Sequence, residues 1–237
     1  IMETQDGKRT FIRDFQDMDA TPSEAEITAA IKKMISTPPT VAFIKGDGER
    51  EISKPGDRDY SNFSIEKYSR AALINQGFEV CEIDISHGDT IPSLINIVVL
   101  AEMRTPLTEK GESQLETYLA RGGNLFILTD TGRQEIMNPF LGRFGIKMEE
   151  YQLAQSSADF SPNLILAKAT RESGKLTFGF KDDFPKHDLR VSMPGCVALT
   201  SFDNDYGFQY TPILETNAKG VWIEKEQTDL EDSPVQC

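Results

Sequence analysis

The sequence has few of the residues that most often build metal and nucleophile sites. Its 237 residues include two histidines, His87 and His187, and three cysteines, Cys81, Cys196 and Cys237. The cysteines are widely separated and form no CxxC pair, and neither histidine belongs to an HExxH motif. This pattern argues against a transition-metal site and against a disulfide framework. We expect free thiols, solvated loop histidines, no metal and no cofactor.

The sequence also lacks a strand-to-helix elbow that carries a nucleophile. In such an elbow a Ser or Cys lies between glycines on a strained turn, with a histidine in reach. The segment best placed for one, residues 124–129, is followed by Asp-Thr-Gly instead. The Gly-x-Gly at residues 46–48 lacks the third glycine of a dinucleotide fingerprint and the Lys-Ser/Thr of a P-loop. We therefore expect no complete catalytic set and no nucleotide site.

Positive charge is scarce. Lys and Arg total 25 against 38 Asp and Glu, which gives a net charge of −13 that repels nucleic acid and anionic lipid surfaces. No apolar run approaches the roughly 20 residues that span a bilayer. The chain begins at Ile1 and stops at Cys237 without a closing element, which predicts a piece of a larger protein.

Strand and helix patterns alternate through the first half. Residues 1–20 are predicted to form a lead-in strand or hairpin around the Asp6-Gly7 turn, and Thr21 is predicted to cap a helix that Pro38-Pro39 stops. Further helical patterns lie at residues 63–76 and 108–121. Apolar strand patterns lie near residues 40–45, 78–85, 95–101 and 124–129.

This alternation predicts an α/β fold with a doubly wound, mostly parallel sheet, flavodoxin-like or class I glutamine amidotransferase-like. We assign residues 21–150 to this core domain. After a short helix at residues 134–144, residues 151–224 are predicted to form a β-rich extension packed on the core. Residues 225–237 are acidic and aperiodic, and predict a linker. The strands of the extension are expected near residues 164–167, 176–180, 197–200 and 221–224.

Charged side chains follow three strands of the predicted parallel sheet. Because ligands bind beyond the carboxyl ends of such strands, we expect these residues to share one rim. They allow two readings: a polar pocket whose arginines clamp an anion, or an internal salt-bridge network that orders long loops. The candidate residues for binding a ligand or partner are Asp47, Glu49, Arg50, Asp57, Arg58, Asp59, Tyr60, Arg104, Asp130 and Arg133.

Several segments, in their order and spacing, resemble one known family. They are Pro39–Arg50, Arg58–Asn62, Ala72–Phe78, Arg104–Glu109, Arg121–Leu125, Phe160–Leu164 and Val191–Gly195. Over roughly residues 10–215 the chain resembles the extracytoplasmic region of GldG-like auxiliary components of ABC transport systems, associated with bacterial gliding motility. Members of this family often have Gly-His-Gly-Glu where this chain has Gly-Asp-Gly-Glu at residues 46–49.

The resemblance implies a non-enzymatic, amidotransferase-like domain in the periplasm, anchored to the cytoplasmic membrane by segments outside this chain. It would work with an ABC permease and ATPase, and no catalytic residues come with it. The expected function is to bind a partner protein or a cell-envelope ligand such as a glycan. The alternative is a hydrolase or transferase that acts on a sugar or amide through carboxylates such as Asp47, Glu49 and Asp130.

Overall fold

The structure is a computed structural model that describes residues 1–15, 21–54, 59–176, 181, 186–203 and 207–225. The chain forms two compact units, Ile1–Thr129 and Asp130–Cys237. The predicted domain boundary at residue 150 stays a prediction. Across the described ranges, no helix combines the length and the apolar character needed to cross a membrane.

The first unit opens with a small hairpin, as the sequence predicts. Strands β1 (Met2–Glu3) and β2 (Arg9–Thr10) pair antiparallel. Gly7 lies in the connecting turn with φ of 86°, a left-handed conformation that favours glycine. The rest of the predicted lead-in, residues 16–20, lies outside the described residues.

Helix α1 (Glu24–Ile35) begins two residues later than the predicted cap implies. Its N-cap is Ser23, whose hydroxyl accepts a hydrogen bond from the Glu26 amide, while the Glu26 carboxylate accepts one from the Ser23 amide. This is a complete capping box. The prediction of Thr21 as the cap was wrong, because the Ser23-x-x-Glu26 pair satisfies two backbone amides reciprocally.

A four-stranded parallel sheet forms the centre of the first unit, and its four strands confirm the predicted positions and direction. The strand order is β4-β3-β5-β6. The strands are β3 (Thr40–Lys45), β4 (Glu79–Asp84), β5 (Ile95–Ala101) and β6 (Asn124–Leu128). The flavodoxin-like or amidotransferase-like assignment of this sheet stays a prediction.

Both faces of the two inner strands are buried. Ala42 and Phe43 are adjacent on β3 and point to opposite faces, and neither is exposed; Val98 and Val99 repeat this arrangement on β5. Continuous apolar strands of this kind are typical of parallel sheets covered on both sides. One core cluster consists of Val41, Phe43, Ile52, Val99 and Ala101.

The helix predicted over residues 63–76 does not form. Only α2 (Ser61–Ser64) and a 3-10 turn at Leu73–Asn75 are helical there. The Asn75 side-chain amide donates to backbone carbonyls of this segment, including that of Ser69 at 2.8 Å. Because these carbonyls bond to a side chain, they do not accept the i+4 amides of a helix.

The next predicted helix is confirmed. Helix α3 (Glu109–Ala120) has Thr108 as its N-cap, and the Thr108 hydroxyl accepts a hydrogen bond from the Gly111 amide at 3.1 Å. The helix ends at Ala120, and Gly122, with φ of 85°, then reverses the chain toward β6.

The second unit begins with a helix and continues as antiparallel sheet. Helix α4 (Gln134–Leu141) and a 3-10 turn at Gly142–Phe144 confirm the predicted short helix. Two three-stranded sheets follow, with strand orders β10-β7-β12 and β11-β8-β9. Their strands are β7 (Ile146–Gln155), β8 (Leu164–Ala169), β9 (Arg190–Pro194), β10 (Val197–Ser201), β11 (Leu214–Glu215) and β12 (Val221–Glu224).

Strands β8, β10 and β12 confirm three of the predicted strands, whereas β7, β9 and β11 were not predicted. Strand β7 carries Glu149-Glu150 at its centre, which interrupts the apolar pattern expected of a long strand. Of the strand predicted at 176–180, residues 177–180 lie outside the described residues. The predicted linker lies outside them as well, apart from residue 225.

Candidate functional site at the carboxyl edge of the parallel sheet

The carboxyl ends of β3 and β5 lie side by side at the point where the strand order reverses. In open α/β sheets this switch point forms a crevice. The loops that leave the two strands, residues 46–50 and 102–106, are called the rim below. The structure brings Asp47, Glu49, Arg50 and Arg104 together there, as the sequence predicts.

Backbone hydrogen bonds tie the two rim loops to each other. The Asp47 carbonyl accepts hydrogen bonds from the amides of Arg104 and Thr105, both at 3.2 Å, and from the Thr105 hydroxyl at 3.0 Å. The Arg50 amide donates to the carbonyl of Ala101 at 2.9 Å. The first loop is therefore held to the second loop through Asp47 and to the end of β5 through Arg50.

A buried ion pair adds to these links. The Arg50 guanidinium bonds the Glu102 carboxylate, and the side chains are only 13% and 7% exposed. Glu102 adopts φ of 49°, a left-handed conformation, and its amide donates to the Leu128 carbonyl at 2.8 Å. If the rim were an anion-binding pocket, Arg50 would bind the anion. Its guanidinium instead bonds a carboxylate of the same protein.

Two other rim carboxyl groups are buried without a matching cation among their hydrogen-bond partners. Asp47 and Glu49 are 4% and 8% exposed. One Glu49 oxygen, Oε2, accepts a hydrogen bond from the Asp47 amide at 2.8 Å. Within the described residues, Asp47 Oδ2 and Glu49 Oε1 are buried and accept no hydrogen bond.

Burial raises the pKa of both of these carboxyl groups, and the negative charge of Asp84 raises both further. Asp84 lies at the end of β4, where the Ser86 hydroxyl donates to its carboxylate at 2.6 Å and lowers its pKa. Asp84 therefore keeps its charge at neutral pH, whereas Asp47 and Glu49 favour the protonated form more than ordinary carboxyl groups do.

The two rim glycines are required by close contacts. Gly46 has φ of 123°, and a Cβ there would lie 2.5 Å from Ser86 Oγ. Gly48 has φ of 77°, and a Cβ there would lie 2.9 Å from the Cβ of Arg104. These contacts account for the Gly-x-Gly pattern without a bound phosphate.

Arg104 is the exposed cation of the rim. Its aliphatic carbons pack over Gly48, and its guanidinium makes no hydrogen bond or ion pair with another residue that the structure describes. An arginine in this position can bond a carboxylate or phosphate of another molecule.

The predicted site residues at positions 57–60 do not all lie in one environment. The Tyr60 ring is partly buried and packs against the core, 6.2 Å from the rings of Phe43 and Phe63. Its role in a ligand site stays a prediction. Asp59 is half-buried. Asp57 and Arg58 lie outside the described residues.

Asp130 and Arg133 belong to the second compact unit. The Asp130 carboxylate accepts a hydrogen bond from the Thr131 amide at 2.8 Å in a turn. Arg133 precedes α4, and its carbonyl accepts hydrogen bonds from the first turn of that helix. Their convergence on the rim stays a prediction.

The cysteine and histidine predictions can be checked for the described residues. Cys81 and Cys196 are free thiols, as expected, and burial raises the pKa of each. His87 and His187 are exposed, as expected of loop residues. Within the described part of the chain, no group of three or more His, Cys, Asp or Glu residues is placed to hold a metal ion.

Asp84 was not among the residues that the sequence places at the rim, and Glu102 was expected there only as a possible partner of the rim arginines, not as a binding candidate. Both follow or end a strand of the parallel sheet, and that position was a usable signal, because the carboxyl ends of these strands meet at one edge. The left-handed backbone of Glu102, which accompanies its pairing with Arg50, has no sequence signal in a non-glycine residue.

Comparisons with known proteins place the chain in a family. The chain aligns over residues 38–166, more than half of its length, with the model of a family described as an ABC-type uncharacterized transport system. A solved structure described as the mmIFT52 N-terminal domain is similar at 14% identity, covering 68% of each chain with a TM-score of 0.48. No curated protein matches the chain significantly. The chain belongs to the family of auxiliary components of ABC-type transport systems.

Proposed function

We propose that this chain is a non-enzymatic accessory domain outside the cytoplasmic membrane that binds a partner protein of its ABC transport system, such as the permease. The family membership supports a role in transport. The rest of the proposal is supported by how the rim groups are engaged within the protein. The Arg50 guanidinium pairs with Glu102 inside the protein. The two rim loops are joined separately, through the backbone carbonyl of Asp47.

A rim built in this way is a rigid surface rather than a reactive cleft. Its two loops are fixed by backbone hydrogen bonds and one buried ion pair, which leaves the exposed guanidinium of Arg104 to meet another molecule. Bidentate contact with a carboxylate is the strongest interaction that such a group offers to a protein surface. We infer that Arg104 contacts an acidic side chain of the partner.

One observation supports the alternative function, that of a hydrolase or transferase. Burial raises the pKa of Asp47 and Glu49, and perturbed carboxyl groups are common at active sites. However, their unmatched oxygen atoms are closed off from solvent. A sugar or amide would reach them only if the loop at residues 46–50 opened, which would break its hydrogen bonds to the second rim loop.

Co-purification of the whole transport system tests the proposal. The full-length parent is produced with its permease and ATPase and captured through a tag on the parent. Wild type should retain the permease, and Arg104→Glu should retain several-fold less. Arg9→Glu is the matched control, because Arg9 is an exposed arginine of the same unit whose ion pair with Glu3 is solvated.

Equal retention of the permease by wild type and Arg104→Glu would overturn the rim contact. Calorimetric titration of acidic envelope sugars onto wild type and Arg104→Ala provides the second arm. Heat that disappears in Arg104→Ala would point to a glycan ligand in place of a protein. If wild type turned over a sugar or amide and Glu49→Gln did not, the hydrolase or transferase alternative would be supported.

A further inference from the structure

The parallel sheet of the first unit ends at strand β6. Among the described strands, only β5 pairs with β6, so the other side of β6 carries no strand. This side is called the free edge below. Strand β6 consists of Asn124–Leu128, which include no charged residue and no proline. Apolar edge strands of this composition form hydrogen bonds with strands of other chains unless something blocks them.

One hydrogen bond shows which backbone groups lie on the free edge. The Leu128 carbonyl accepts a hydrogen bond from the amide of Glu102, the residue after β5, so the backbone groups of Leu128 face β5. In a strand, the backbone groups of every second residue point to the same side. Those of Phe126 therefore also face β5, whereas those of Leu125 and Ile127 point to the free edge.

The middle residue of β6 adds an exposed aromatic ring. Phe126 is 47% exposed, although Val99, its partner in the register with β5, is buried. The centre of the free edge therefore offers a partner both backbone hydrogen-bonding groups and apolar surface that it can cover.

The opposite edge of the same sheet is protected by charge. Strand β4 carries the three acidic residues Glu79, Glu82 and Asp84. Charged side chains on an edge strand oppose pairing, and two copies of this acidic edge would repel each other. Of the two edges of this sheet, only that of β6 lacks such a barrier.

The free edge is complementary to a second copy of itself. When two β6 strands lie antiparallel and are centred on Phe126, Leu125 of one copy lies opposite Ile127 of the other. Such residues exchange both of their backbone hydrogen bonds, so every outward amide and carbonyl of Leu125 and Ile127 gains a partner. The two Phe126 side chains then meet at the position between these bonds, where opposing side chains lie closest.

The net charge also favours this edge as the contact between copies. Each chain carries a net charge of −13, so two copies repel each other least where they meet through an uncharged surface. We propose that the free edge of β6 binds β6 of a second copy of this chain, antiparallel and centred on Phe126, so that the two parallel sheets join into one. Because the paired strands run in opposite directions, the rims of the two copies lie at opposite ends of the joined sheet.

Sedimentation equilibrium over a range of protein concentrations tests the dimer. Wild type should dimerise with a dissociation constant of about 0.1 mM or lower. Phe126→Lys should raise this constant at least about tenfold, because it removes a pair of rings and places two like charges opposite each other. Phe11→Lys is the matched control, because it adds the same charge at a phenylalanine of the same unit that is 60% exposed and lies outside β6. It should dimerise like wild type.

Ile127→Pro tests the backbone contact without a change of charge. Proline lacks the amide that points to the free edge at this position, whereas the amides that face β5 are retained. The variant should therefore dimerise several-fold more weakly than wild type. Far-UV circular dichroism checks that each variant folds.

Cysteine cross-linking tests the register. Phe126→Cys places the two new thiols opposite each other, whereas Asn124→Cys places them near opposite ends of the paired strands, beyond the reach of a disulfide. On mild oxidation Phe126→Cys should form a cross-linked dimer and Asn124→Cys should not. Wild type treated in the same way controls for the native cysteines.

Three results would overturn the proposal: folded wild type that stays monomeric at these concentrations, equal dimerisation of Phe126→Lys and Phe11→Lys, or equal cross-linking of Asn124→Cys and Phe126→Cys. If wild type is monomeric and Phe126→Lys in the full-length parent loses the permease, the free edge binds a strand of the transport system instead. Arg104→Glu should leave the dimer unchanged, so failure of the dimer and failure of the contact through Arg104 are distinguishable.

Discussion

Two sets of carboxyl groups at the rim are buried to a similar depth but are stabilised in different ways. Glu102 lies at the end of β5 and is bonded by the guanidinium of Arg50. Asp47 and Glu49 follow β3 and each keep one oxygen without a hydrogen-bond partner among the described residues. Burial is therefore offset by an opposite charge in the first case and favours a bound proton in the second.

This difference shows how the same edge of a sheet can be both rigid and pH-sensitive. The Arg50–Glu102 pair joins the two rim loops and needs both of its charges. Protonation of Asp47 and Glu49 is favoured, because burial and the negative charge of Asp84 both raise the pKa of these carboxyl groups.

The largest effect is expected from removing the cation of the buried pair. Arg50→Met removes the guanidinium that pairs with the buried Glu102 carboxylate, and breaking such a buried pair costs about 3–5 kcal/mol. Urea unfolding followed by far-UV circular dichroism measures the loss. The double variant Arg50→Met with Glu102→Gln should recover much of it, because the buried charge is then gone. Strictly additive single effects would show that the two groups do not interact.

A smaller effect is expected from crowding the end of β4. Gly46→Ala places a Cβ against Ser86 and Asp84 and forces a strained backbone, which costs roughly 1–3 kcal/mol. The control is Gly122→Ala, at φ of 85° with no atom within 4 Å of the added Cβ, where only backbone strain of about 1 kcal/mol applies. A cost for Gly46→Ala no greater than that of the control in thermal unfolding would contradict the close contact.

A change in pH dependence is expected from Glu49→Gln. Burial raises the pKa of folded Glu49 above its ordinary value of 4.5, so its contribution to stability is full below that pH and declines as the pH rises through the folded pKa. Glu49→Gln should therefore be more stable relative to wild type at neutral pH than at acid pH. Unfolding free energies measured from pH 4 to pH 8 check this. A constant difference across the range would count against the raised pKa.

The smallest effect is expected from a solvated ion pair near the same edge. Lys45 lies 3.5 Å from Glu82, with the two side chains 47% and 21% exposed. Lys45→Met should change the unfolding free energy by less than about 1 kcal/mol, since exposed pairs contribute little. A loss as large as that of Arg50→Met would remove the contrast between buried and solvated pairs.

The sequence predicts most of the first unit because its signals are local. The runs at residues 40–45 and 95–101 are apolar on both faces, and the convergence of Asp47 with Arg104 follows from the adjacency of these strands. The expected helix at residues 63–76 fails because Asn75 captures backbone carbonyls, which helical spacing cannot reveal.

The sequence could not decide whether the rim is an anion-binding pocket or an internal salt-bridge network. That choice depends on which side chains pair with one another, and secondary-structure propensity does not predict side-chain pairing. The pairing of Arg50 with Glu102 involves a left-handed residue directly after β5. The unmatched oxygens of Asp47 and Glu49 depend on how deeply these residues are buried, which propensity does not predict. Strand β7 was missed because its central glutamates interrupt the apolar pattern of a strand paired on both edges.

The carboxyl titrations themselves test the contrast most directly. Carbon-detected nuclear magnetic resonance of the Asp and Glu side-chain carboxyl carbons follows each group separately as the pH is raised. The account predicts midpoints above 3.8 for Asp47 and above 4.5 for Glu49, because burial opposes their charge, and a midpoint below 3.8 for Asp84, because Ser86 donates to its carboxylate. Midpoints for Asp47 and Glu49 at or below these ordinary values would show that the unmatched carboxyl groups are charged and solvated, and would contradict it.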